Sequence, residues 1–241
     1  MKTIIKYTLA IAVTLFCFNT SHAQFKKVKG NGTITTKTHN TSDYNEVKVV
    51  GFMDVILESG TEGSITVKTD ENIQEYIIIE SKKGILTIKV KNSVNIQTKK
   101  GVHVTVPFKD LDIVSLTGSG DVLTNDTVKS DTFDVELTGS GDMILEVEAK
   151  TLDAKITGSG DLKLSGKAND FEVKVTGSGD FSGKSLISQN TQVYVSGSGD
   201  AIVYASKSLK ARVNGSGDIR YYGDPETTDN KTLGSGDINS N

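Results

Sequence analysis

The sequence predicts an all-β chain: a right-handed parallel β-helix with one sharp corner per lap of about 19 residues. Three observations carry this reading. Seven copies of Gly-Ser-Gly-Asp start at Gly118, Gly139, Gly158, Gly177, Gly197, Gly215 and Gly234, in steps of 21, 19, 19, 20, 18 and 19 residues. The residues flanking each copy alternate between apolar and polar. Proline is almost absent, with only Pro107 and Pro225, as suits a chain of paired strands. A turn recurring at so fixed a period marks a stacked repeat, in which each unit buries its apolar side against its neighbours.

Aligned on its first glycine, nearly every copy has an apolar residue two positions earlier: Leu116, Leu137, Ile156, Val175, Val195 and Val213. Four positions earlier stand Val114, Val135, Ala154, Val173, Val193 and Ala211, and between the two columns lie Ser115, Glu136, Lys155, Lys174, Tyr194 and Arg212. A period of two is the pattern of a strand buried on one face. It resumes after the motif with Val122, Met143, Leu162, Phe181, Ala201 and Ile219, and two positions on with Leu145, Leu164, Val203 and Tyr221. Each copy is therefore a corner between two strands. An antiparallel meander would send equivalent turns to alternate ends. The same residue classes in the same columns fit parallel laps instead, stacked about 4.8 Å apart. The right hand follows from the usual chirality of parallel crossovers.

The corner explains its own composition. Backbone angles with φ > 0 cost a residue bearing Cβ about 1–2 kcal/mol and cost glycine almost nothing. Stacked corners also leave little room for side chains. The closing Asp is expected to accept hydrogen bonds from N–H groups of its own turn, as an Asx-type turn does.

Residues 111–241 hold the regular repeat, and residues 24–110 read as irregular opening laps plus a cap, continuous with it. Val47 and Val49 precede Gly51-Phe52-Met53-Asp54, and Val55 and Leu57 follow, each in the column that the later copies define. Further strand-like stretches fall at 64–68, 76–80, 85–90 and 102–106. A cap is expected physically, because a bare β-helix end recruits other chains.

Ahead of the fold, Lys2 and Lys6 precede an apolar run from Tyr7 to Phe18 that is too short to span a bilayer, and Ser21-His22-Ala23 then gives a signal-peptidase pattern. Residues 1–23 read as a signal peptide, whose removal from 241 residues leaves 218 and no cysteine. Bulky Phe16 before Cys17 argues against a lipid anchor there. The expected location is the cell envelope or the extracellular space, with no transmembrane segment in the mature chain. Residues 24–110 carry 13 Lys/Arg against 10 Asp/Glu, or +3, while residues 111–241 carry 12 against 20, or −8. Nucleic acid is a poor partner for so acidic a repeat.

The strand around Gly51-x-x-Asp54-Val55, the segment Val102-His103-Val104-Thr105-Val106-Pro107 and the serial Gly-Ser-Gly-Asp corners together resemble the DUF2807 family, described as an auto-transporter adhesin head, or GIN, domain and found largely in Bacteroidetes. The resemblance covers about residues 40 to 240. It implies a right-handed β-helix whose glycine corners join two sheets, and a role in adhesion.

Parallel β-helices also include polysaccharide-cutting enzymes, which wall their clefts with long loops between laps. Intervals of 18–21 residues leave no such inserts, and after residue 23 the only histidines are His39 and His103. No nucleophile–base pair or metal triad can be assembled, so no catalytic residues are assigned. The column Asp121, Asp142, Asp161, Asp180, Asp200, Asp218 and Asp237 is the one unusual constellation. Carboxylates about 4.8 Å apart repel by about 0.9 kcal/mol in water and about 3.5 kcal/mol at an effective dielectric of 20. Hydrogen bonds from the turn, splaying into water or bridging cations would each relieve this. One motif per lap supplies fewer than the six to eight oxygens calcium takes, so no cofactor is expected, and calcium on these aspartates is the alternative. Thr117, Thr138, Thr157, Thr176, Ser196 and Asn214 read as polar surface. The expectation is an exported, non-enzymatic, adhesin-like binding module for a protein or glycan surface. A glycan-active enzyme and a passive spacer are the alternatives, and oligomeric state is left open.

Overall fold

The computed structural model describes residues 26–241, and the expected leader with Cys17 lies outside them. The chain is all-β and winds into a solenoid of about 7 turns with about 19 residues per lap. Consecutive corners stack in parallel register, Gly118 on Gly139 on Gly158 on Gly177 on Gly197 on Gly215 on Gly234. Strands such as Met143–Gly158 and Leu162–Gly177 each run from one glycine corner to the next.

Such a strand must bend midway, and its burial pattern shows where. Met143, Leu145 and Val147 point inward on odd positions, whereas Leu152, Ala154 and Ile156 do so on even ones. One residue is spent turning the second corner, around Ala149–Lys150. The predicted columns line the lumen, with Val114, Leu116, Val135, Leu137, Val173, Val175, Val193 and Val195 no more than 1% exposed. Phe171 and Phe181 pack with ring centroids 5.5 Å apart.

Variation in lap length is confined to one stretch. The residue that opens the pre-corner strand stands six positions before its glycine in every lap: Phe133 to Gly139, Leu152 to Gly158, Phe171 to Gly177, Thr191 to Gly197 and Leu209 to Gly215. From the corner Asp to that residue the count is 12, 10, 10, 11 and 9, for Asp121 to Phe133, Asp142 to Leu152, Asp161 to Phe171, Asp180 to Thr191 and Asp200 to Leu209. The stretch of 11 takes up its extra residue at Gly183–Lys184, where Lys163 pairs with Ser182 but Ser165 with Ser185, a β-bulge. In the short lap the strand Ala201–Tyr204 ends early, and buried Ser188 and Thr191 donate to the Tyr204 carbonyl at 2.5 and 2.7 Å. That satisfies a backbone acceptor that the ladder has dropped.

The lower laps do not follow chain order. Glu46–Gly51 and Asp54–Ser59 lie beneath the first regular lap, with Val47 on Val114 and Val55 on Val122. Beneath them in turn lie Ile85–Val90 and His103–Phe108, with Val47 on Leu86 and Val55 on Val104. Ile77–Lys82 and Ser64–Asp70 then pair antiparallel with these lowest strands, and Ile34–Asn40 pairs with Ser64–Asp70. Antiparallel strands thus cover this end. At the far end the strand Thr227–Gly234 is exposed throughout, and there Thr228, Asn230 and Thr232 occupy columns that are apolar below. Polar residues there keep an uncovered edge from presenting an apolar face.

Candidate binding surface

The glycine corner positions the most regular array on the molecule. The first glycine of each motif has φ between +122° and +142°. A Cβ there would also fall 2.0–2.2 Å from the carbonyl oxygen of the glycine beneath. The second glycine lacks positive φ, yet a Cβ on it would fall 1.9–2.1 Å from the carbonyl below. The first glycine is thus required by backbone angle and space, the second by space alone.

The hydrogen bonds of the corner account for the aspartate. From Gly118 to Gly215, each first-glycine carbonyl accepts two N–H groups from the lap above; Ser140 and Gly141, for example, donate to Gly118 at 2.9 and 3.2 Å. The Asp N–H of that upper lap needs another acceptor, and the Asp carboxylate below supplies it. Asp142 N–H donates to Asp121 Oδ1 at 3.1 Å and Asp161 N–H to Asp142 Oδ1 at 3.0 Å. Asp180, Asp200, Asp218 and Asp237 each donate to the Asp one lap below at 2.8 Å. The expected Asx-type bond within a turn is corrected by this geometry: the carboxylate points along the stack and serves the next lap. Each N–H dipole lies between two carboxylates and offsets their repulsion. Among the described residues no group of three or more His, Cys, Asp or Glu is arranged to hold a metal.

On the post-corner side of this column runs a shallow trough of about 410 Å³, lined by Asp142, Asp161, Asp180 and Asp200 with Ile144, Lys163, Ser182 and Ile202. Ile144 is 46% exposed, in line with Lys163 and Ser182 along the parallel register. These residues stand two positions after each corner Asp, outside the repeated motif, so nothing in the motif marks them.

The pre-corner side is a flat charged face. One outward column reads Asp134, Asp153, Glu172, Gln192, Lys210 and Asp229, and its neighbour reads Glu136, Lys155, Lys174, Tyr194, Arg212 and Lys231. Partial burial raises the Asp153 pKa, and Asp134 and Glu172 on the flanking laps push the same way against Lys174. Lys174 pairs with Glu172, and Arg212 with Asp229. The Lys174 and Lys210 ammonium groups lie 5.7 and 5.5 Å from the Tyr194 ring centroid. The Thr117, Thr138, Thr157 and Thr176 column is exposed or half-exposed between this face and the corner.

His103 is half-exposed on its strand, with Nδ1 3.3 Å from Asp54 Oδ2 and Nε2 2.9 Å from the Lys100 carbonyl. From the lowest lap it thus joins the loop before it to Asp54 in the lap above. No helix among the described residues is long and apolar enough to cross a membrane.

The model of the family DUF2807, "Putative auto-transporter adhesin, head GIN domain", matches residues 43–225. Among solved structures the chain is similar to an adhesin-described protein of Bacteroides fragilis NCTC 9343 at 23% identity and TM-score 0.82, covering 89% of this chain and 100% of that one. Two proteins of Parabacteroides distasonis ATCC 8503, one described as a putative adhesin and one as a putative lipid binding protein, are 28% and 26% identical. Both have TM-score 0.74 and cover 90% of this chain and 100% of their own. No curated protein matches the chain.

Proposed function

Because this chain belongs to the DUF2807 family, we propose that it is an exported, non-enzymatic binding module that works as an adhesin-like protein of the cell envelope or surface. The observation that carries the reading is the trough beside the Asp column. There Ile144 and Ile202, with Lys163 and Ser182 between them, form a partly apolar line edged by carboxylates. An apolar strip with a charged margin is the composition by which a protein or glycan surface is held. Family membership and the adhesin-described Parabacteroides relative support the same class. The lipid-binding description of the other relative gains no support from the lumen, which stacked side chains fill. Repeat intervals of 18–21 residues, without loops to wall a cleft, favour binding over glycan cleavage.

The test is binding of labelled protein to bacterial cells, host-cell extracts and a glycan array, beside the double variant Ile144→Glu, Ile202→Glu. The expected result is binding by the parent, weakened at least tenfold in the variant. Equal binding by both would move the site elsewhere. No signal above a control with a scrambled surface would make the protein a spacer, and release of glycan fragments would make it an enzyme.

A further inference from the structure

The pre-corner face carries its charge unevenly along the stack. Asp153 sits beside Lys155, and Glu172 is paired with Lys174, so these two laps neutralise themselves. Two ends are left uncompensated. Asp134 and Glu136 give the lower end −2, while Lys210, Arg212 and Lys231 less Asp229 give the upper end +2. No insertion rises above the face, because the pre-corner strand has the same length in every lap, and only a shallow hollow of about 290 Å³ among Asp134, Glu136, Asp153, Lys155, Glu172 and Lys174 interrupts it.

We propose that this face docks against the same face of a second copy of the chain, with the two stacks antiparallel. The charges choose the arrangement. A two-fold axis along the stack would set −2 against −2 and +2 against +2. An axis parallel to the strands reverses the stack and sets Asp134 and Glu136 of one copy against Lys210 and Arg212 of the other, twice over. The lap of Glu172 and Lys174 lies on that axis and faces its own copy. A closed two-fold of this kind is isologous and does not propagate into a fibre. The area suffices: six residues at about 3.3 Å and seven laps at about 4.8 Å, from the lap of Ile113 and Ser115 to that of Asp229 and Lys231, give roughly 20 by 34 Å. That is about 680 Å² per copy, or about 1,350 Å² in all, within the roughly 1,200–2,000 Å² of stable specific interfaces. The exposed threonines beside the face are short enough to let the sheets approach. The trough lies on the other side of the corner, so both copies would keep theirs open.

Sedimentation velocity of the full chain at about 0.01 M and about 1 M salt, where the Debye length is about 30 Å and about 3 Å, reads the state directly. A dimer is expected at low salt in the micromolar range, weakened at high salt. Lys210→Glu and Asp134→Lys should each weaken it at least tenfold, and the two together should restore it, with unchanged circular dichroism throughout. Lys174→Cys, on the axis, should form a disulfide-linked dimer under mild oxidation, whereas Ser115→Cys, away from it, should not. A monomer at low salt, a dimer indifferent to both reversals, a double variant as weak as the singles, or a failure of Lys174→Cys to cross-link would each overturn the proposal.

Discussion

Each lap turns twice, once at Gly-Ser-Gly-Asp and once about ten residues later, and the two corners tolerate change very differently. At the first, backbone stacks on backbone so closely that a single Cβ would fall about 2 Å from the carbonyl below, and one carbonyl serves two donors while a carboxylate serves the third. Three successive N–H groups of that corner are committed to the lap below. The second corner is a one-residue change of phase in a continuous strand, as between Val147 and Leu152. Residues there as different as Asp131, Lys150 and Asn169 stand exposed. All of the length variation between laps falls on the segment that leads into it. One corner fixes register, and the other absorbs error.

The comparison yields a graded set of expectations, read by thermal melts. The largest effect lies inside the lap: Val173→Asp places an unpaired carboxylate where the native side chain is fully buried, at a cost of about 4 kcal/mol or more, enough to abolish folding. Glu136→Lys, outward on a neighbouring lap, should leave the melting temperature nearly unchanged. Next comes the corner itself. Gly160→Ala, whose Cβ would lie 2.0 Å from the Gly141 carbonyl oxygen, should cost about 3 kcal/mol, whereas Lys150→Ala at the second corner should stay within about 0.5 kcal/mol. Equal losses at the two corners would break the distinction drawn here.

Smaller effects separate the carboxylate's charge from its role as acceptor. Asp161→Ala removes the oxygen that accepts the Asp180 N–H and should cost about 1–3 kcal/mol. Asp161→Asn keeps an acceptor at the same place and should recover most of that loss. Millimolar calcium should shift the melting temperature little, because Oδ1 of each Asp from Asp121 to Asp218 already accepts an N–H. A calcium-dependent rise of many degrees, lost in Asp161→Asn with Asp180→Asn, would show that cations join the laps.

The smallest expected effect concerns Asp153. Its pKa is raised on folding by desolvation and by Asp134 and Glu172, so the folded state holds the proton more tightly than the unfolded one. The sign follows: this group favours folding at acid pH and ceases to do so as pH rises through its folded pKa. Asp153→Asn should therefore raise the melting temperature slightly at neutral pH and leave it unchanged well below the carboxylate range. A fall at neutral pH would contradict the crowding of Asp134, Asp153 and Glu172.

The glycine corner was legible in the sequence because its demands are local: only glycine fits, and the motif repeats. The lumen columns were legible for a similar reason, since strict alternation survives in every copy but the last. Even the echo at Gly51-Phe52-Met53-Asp54 carries the column pattern that sets Val47 and Val55 beneath Val114 and Val122. The second corner was much harder to see, because a phase slip between Val147 and Leu152 leaves no compositional mark. The order of the lower laps was invisible, since nothing near Ile85–Val90 states that it will lie beneath Glu46–Gly51 and not above it. The carboxylate bonds leave no mark in the sequence, because their partner lies one lap away, at a distance of 18 to 21 residues. Local chemistry offered only the bond within the turn.

The central claim is that the corners set a register in which one lap can replace another. It is tested most directly by deleting Gly158 through Thr176, which joins Thr157 to Gly177, removes one 19-residue step and brings the Asp180 N–H over Asp142. The account predicts a soluble protein with undiminished β-structure per residue by circular dichroism and a single cooperative melt. Insoluble protein, or a collapse of the β signal, would contradict it.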